Sequence, residues 1–89
     1  MRIVITIIGE DRVGIVAKVS TVLAEHNVNI LDINQNIMNG FFNMVMIADM
    51  GGASIALKEF QQVLKAEGTS LGVEIKVQHE DIFKIMHRI

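Results

Sequence analysis

The 89-residue chain contains no cysteine, no proline, no tryptophan and no tyrosine. Without thiols there is no disulfide framework, no redox pair, no cysteine nucleophile and no Cys-based zinc or copper site; the composition fits a reducing compartment, with the cytoplasm as the expected location. Neither sign of charge dominates. Eight basic against ten acidic residues give a formal charge of −2, the wrong sign for a surface that must neutralise a run of phosphates, so nucleic acid is disfavoured as a partner. Long apolar runs are missing too. The stretch Ile3 to Ile8 is too short for a signal segment or a membrane span and nothing later approaches one, which predicts a soluble, unexported chain with no membrane partner. What the chain does have is hydrophobic content: 51% of its residues, ample for the core of one small domain without staples. No linker or low-complexity segment divides it.

The β-branched run Ile3 to Ile8, ended by Gly9, predicts a central strand covered by neighbours. Residues Gly14 to His26 then place Val16, Ser20, Leu23 and Ala24 on one helical face and Lys18, Thr21 and Glu25 on another; the apolar arc is wide, and the many β-branched residues mean that burial must hold this helix. From Val28 to Met38, Leu31, Ile33, Gln35 and Ile37 alternate with Ile30, Asp32, Asn34 and Asn36, the pattern of a half-exposed antiparallel strand. Asn39-Gly40 suits the positive φ values of a two-residue hairpin turn, so the chain should return as a third strand from Phe41. Beyond Gly51-Gly52, Ser54 is a candidate cap, Ala56, Phe60, Val63 and Leu64 form a helical stripe, and Gly68 is a candidate stop. Leu71, Val73, Ile75 and Val77 alternate with polar residues as a last strand. The tail 81–89, with Ile82, Phe83, Ile85, Met86 and Ile89, predicts a short amphipathic helix that needs a surface to lie on.

The order βαββαβ over residues 1–80, followed by the tail, predicts an α+β fold: a ferredoxin-like sandwich with a four-stranded antiparallel sheet in the order 4-1-3-2, two helices on one face and the other face open. An open face and an unpaired edge at the second strand invite a second copy of the chain, so a homodimer is expected.

Uses of this sandwich are tested on residues. Metal delivery needs a Cys pair, which is absent; base stacking needs aromatics on both central strands, and the first has none. A phosphate-cradling enzyme loop is contradicted by Glu10 and Asp11 flanking Arg12. His26, His79 and His87 lack metal-ligand spacing, and no Ser, His and Asp set falls on matching loops, so neither a metal, a cofactor nor a catalytic residue is assigned. What remains is Gly9-Glu10-Asp11-Arg12-Val13-Gly14-Ile15 and, a helix later, His26-Asn27-Val28-Asn29-Ile30. This pair resembles the ACT domain, whose signature is an Asp-x-x-Gly loop opening the first helix and an Asn-Ile dipeptide opening the second strand. The chain is also similar to stand-alone ACT proteins related to the glycine cleavage system repressor, with one ACT unit here.

The resemblance implies a non-enzymatic regulatory module: a homodimer, extendable to higher oligomers, that binds a small amino acid where the helix-opening loop of one chain faces the second strand of the other and signals to a protein partner. The implied ligand-binding residues are Asp11, Arg12, Val13, Gly14, Ile15, Asn29 and Ile30. Unpaired N–H groups at a helix start suit a ligand carboxylate, Asp11 suits its ammonium, and the Asn29 amide can bridge to either. Each residue also has a plain structural reading: Asp11 as a helix cap, Gly14 as a close approach, Asn29 at a turn or strand edge, Arg12 paired with Glu10 or Asp11. The alternative function is an effector-free interaction module using the open face and the tail.

Overall fold

The computed structural model describes residues 1–10 and 13–86. Its elements run β1 (Arg2–Glu10), α1 (Ile15–Glu25), β2 (Asn29–Met38), β3 (Phe41–Asp49), α2 (Leu57–Leu71), β4 (Val73–His79) and α3 (Glu80–Met86). The strands form one antiparallel sheet ordered β2-β3-β1-β4, the expected ferredoxin-like arrangement.

β1 is central because it can be buried along one whole side. Ile3, Ile5 and Ile7 have 0% exposure and face the two long helices. Their ladder partners, Ala48, Met46 and Met44 on β3 and Val77 and Ile75 on β4, are buried beside them. From above, α1 contributes Ile15, Val19, Val22 and Leu23, and α2 contributes Phe60 and Leu64. Asn39 and Gly40 both take positive φ, 52° and 81°, as a hairpin turn of the expected type requires.

Four details differ from the sequence pattern. The buried face of α1 is centred on Ile15, Val19, Val22 and Leu23, while Val16 and Ser20 are half-buried and Ala24 is exposed. Its wide apolar arc allows several rotations, and the sheet selects the one that buries the larger side chains. The N-cap of α2 is Ala56, not Ser54, whose backbone N–H instead bonds the His26 carbonyl. Gly68 does not stop α2. It lies inside the helix against β4, where a Cβ would stand 2.8 Å from the Val73 carbonyl oxygen; the left-handed terminator is Gly72, with φ 76°. In β2 a bulge between Ile30 and Asp32 leaves Leu31 without a ladder partner, so Ile30, opposite Ala48, shares a face with Ile33, opposite Met46. Simple alternation had put them on opposite faces.

The outer face of the sheet is only partly open. α3 follows β4 directly and folds back over β1 and β4, and Phe83 lies with Thr6, Ile8 and Val45 on that face. Val4 points away from α1 and α2 yet is only 3% exposed. This is the surface the tail required. One surface pair reaches from α3 to the sheet, Arg2 to Glu80 at 3.9 Å; Lys84 to Glu80 at 3.5 Å lies within the helix, and the Asp81 N–H donates to His79 Nδ1 at 3.1 Å at its start. Of the tail, His87, Arg88 and Ile89 lie outside the described residues.

At the far end of β3, the Gly51 N–H donates to Asp49 Oδ1 at 2.9 Å, and the Met1 ammonium lies 3.5 Å away. The Gly51 hydrogen bond, with help from the ammonium and Arg2, holds the Asp49 carboxyl below the ordinary carboxylate range although burial opposes it.

Two outcomes are expected. Gly68→Ala should lower stability by about 1–2 kcal/mol in urea titration, because the overlap with a backbone carbonyl outweighs a helix-propensity gain of about 1 kcal/mol. The Asp49 contribution is present above its ordinary titration range, near about pH 4, and is lost as pH falls through the lowered native value. Asp49→Asn should therefore flatten the acid limb of the urea-midpoint profile, and an unchanged limb would assign acid sensitivity to other carboxylates.

Candidate functional site

Among the described residues, no side chain caps the opening of α1. Its N-cap is Gly14, at φ 90° and ψ 1°, and no acidic residue stands in the first turn. The Gly14 carbonyl accepts the first helical bond, from the Lys18 N–H at 2.9 Å, which leaves the Ile15, Val16 and Ala17 amides as leading donors with no intrahelical partner. A Cβ at Gly14 would meet nothing within 4 Å, so glycine is needed there for its conformation and not to admit a neighbouring protein group. Gly14 lies at one end of a groove between α1 and α2 that includes Ala17, Lys18, Thr21, Val22, Glu25 and Glu67.

Of the residues singled out in this loop, Val13 is fully exposed, Gly14 is half-buried, and Ile15 sends its side chain into the core, leaving its backbone for outside contact. Asp11 and Arg12 lie outside the described residues.

The start of β2 is placed by its preceding turn. Val28 N–H bonds the Leu23 carbonyl at 2.9 Å, and the Asn27 side chain, on a residue with φ 58°, donates to the Gly52 carbonyl at 2.7 Å. The turn-holding asparagine is thus Asn27. Asn29 is exposed and Ile30 is half-buried against the core.

These two parts of the sequence signature do not meet within one chain. Asn29 stands opposite Asp49, itself opposite Arg2, at one end of the sheet; the α1-opening loop follows Glu10, opposite Phe41, itself opposite Met38, at the other. Ten strand residues separate these ends by about 30 Å.

The sequence reading missed a second concavity, on the outer face, lined by Thr6, Ile8, Asn43, Val45, Glu74, Lys76, Gln78 and Phe83. The alternation of β4 signalled its wet side, but only docked α3 supplies the Phe83 wall. Among the described residues no three His, Asp or Glu side chains cluster as metal ligands would, and no helix is long and apolar enough to cross a membrane.

Comparison with known proteins places this geometry. The family model of the ACT domain matches residues 1–78. The chain belongs to the ACT domain family. Among its relatives is the UPF0237 protein of Methanosarcina mazei, 59% identical over 88 residues, covering 99% of this chain and 96% of that protein. A solved ACT domain protein from Streptococcus pneumoniae superposes with a TM-score of 0.82 at 33% identity, over 94% of each chain. A putative glycine cleavage system transcriptional repressor shares the fold, with a TM-score of 0.73 at 20% identity over 89% of this chain and 47% of the other. In this ACT domain, then, the Asp-x-x-Gly segment ends at the left-handed Gly14 N-cap of α1 and the Asn-Ile dipeptide begins an edge strand.

Because Gly14 holds a left-handed conformation in open space, Gly14→Ala should cost about 1 kcal/mol from backbone strain alone, and Gly14→Asn distinctly less. Equal losses in thermal melts would show that the site is limited by contact and not by conformation.

Proposed function

We propose that this ACT domain is a non-enzymatic regulatory module that binds a small amino acid at a homodimer interface and passes occupancy on to a protein partner. The observation that carries the reading is the separation of the α1 opening from Asn29 by the length of β2. A second copy laid antiparallel along the free edge of β2 brings Asn29 of the partner subunit to the Met38 end, beside the α1 opening of the first. The arrangement is isologous, so it builds two such sites.

β2 suits this role. It is an edge strand exposed along its length except for half-buried Ile30, and Ile33 and Ile37, on the side facing the helices, have little helix above them. In the proposed site the unpaired amides of Ile15, Val16 and Ala17 receive the ligand carboxylate, Asp11 receives its ammonium, and the amide of Asn29 of the partner subunit bridges them. Val13 and Ile30 supply apolar walls, and Arg12 offsets the negative charge of Glu10 and Asp11. A ligand spanning two chains stabilises their association by RT ln(1 + [L]/Kd), which converts concentration into assembly. The cytoplasm is the proposed location.

The exposed apolar corner of Ile8, Met38 and Phe41 favours a second reading, an effector-free interaction module. Sedimentation and calorimetric titration against the standard amino acids distinguish the two. The expected result is a two-chain species at micromolar protein that one or more small amino acids tighten, with the heat abolished by Asn29→Ala at unchanged fold. A single-chain species with no heat at millimolar ligand would overturn the proposal. Partner capture that survives Gly14→Val and Asn29→Ala but fails when the chain ends at His79 would favour the second reading.

A further inference from the structure

We propose that the outer face of the sheet carries a separate site for a small zwitterion with an apolar body, in the groove beneath Phe83. The groove encloses about 400 Å³, within the range of small-molecule sites, and draws its walls from four elements. Its floor is Thr6 and Ile8 of β1 with Asn43 and Val45 of β3; one wall is Glu74, Lys76 and Gln78 of β4; Phe83 of α3 closes the end. Ladder register sets the order of these groups. Glu74 stands opposite Ile8, itself opposite Asn43, and Lys76 stands opposite Thr6, itself opposite Val45.

The charges decide the ligand class. Lys76 Nζ and Glu74 Oε1 lie 3.4 Å apart at the rim, with about two thirds of each side chain exposed. An ion pair so exposed contributes little to the fold, so exchanging each partner for a ligand charge costs little. A molecule carrying a carboxylate and an ammonium on one carbon presents the complementary pair at similar spacing: its carboxylate on Lys76, its ammonium on Glu74. An anion alone would be repelled by Glu74 and a cation alone by Lys76. Below the rim, Ile8, Val45 and the Phe83 ring offer an apolar slot, with the Asn43 amide and Thr6 hydroxyl as polar markers. This site lies across the sheet from the α1 opening and does not need a second chain.

Amide NMR titration of the full chain with L-leucine and with L-phenylalanine tests it. Saturable shifts are expected at Thr6, Ile8, Asn43 and Val45, persisting in Gly14→Val. The apparent affinity should fall about tenfold in Lys76→Met and again in Phe83→Ala. N-acetyl-leucinamide, which lacks both charges, should leave these amides unmoved. Shifts confined to Gly14, Ile15, Asn29 and Ile30 would overturn the groove while supporting the interface reading; groove shifts without those would do the reverse. No saturable groove shift, or equal binding of the neutral derivative, also overturns the proposal.

Discussion

The burial of one side of β1 is the constraint from which the rest of the architecture follows. Ile3, Ile5 and Ile7 are sealed by β3 on one flank, β4 on the other, and α1 and α2 above. A strand bonded on both edges and covered by helices removes more apolar surface from water than any other position in a sheet this small. Close approach completes the seal: a Cβ on Gly9 would lie 2.7 Å from Val73, and one on Gly68 2.8 Å from the Val73 carbonyl. Two missing side chains let β4 close against β1 and α2.

Two helices over four strands leave a flank uncovered, and that flank is β2. Beyond Ile30 its apolar residues are therefore exposed although the strand is paired along β3 on either side of its bulge. The same geometry sends α1 down from one end of the sheet and starts β2 at the other, so the two halves of the ACT signature are held apart within a chain by a strand's length. A surface that is incomplete at both ends of one edge is what a two-fold partner can complete. On the opposite face the tail acts differently. α3 lies over β1 and β4, leaves Ile8 and Phe41 exposed, and turns a flat sheet into a walled groove.

Strong local patterns were legible. The β-branched run of β1, the Asn39-Gly40 turn and the alternation of β4 each follow from near-neighbour sterics or from a period of two, and element order with right-handed crossovers then fixes the strand order. The rotation of α1 was not legible, because an apolar arc wider than the contact allows more than one face to bury. The bulge at Leu31 was not, because an extra residue leaves no mark in an alternating string until the partner strand shows which residue is skipped. Gly68 was read as the stop that Gly72 supplies for a related reason: either glycine can end a helix, and only the approach of β4 shows that Gly68 is required for its size.

For the candidate site, the helix opening and Asn29-Ile30 were singled out by their resemblance to the ACT signature, while the left-handed conformation of Gly14, which the sequence had suggested as a close approach, came from the fold. Their separation along the sheet, the core-facing side chain of Ile15 and the turn-holding role of Asn27 were decided by the tertiary structure, which alone sets distances between residues remote in sequence. The sequence by itself determined the kinds of element, their order and the polarity of each face, because these depend on periodicity and backbone sterics. Only the folded molecule decided which faces end up covered, where α3 lands and which polar groups converge on the outer groove, because those outcomes depend on packing between surfaces that no single segment contains.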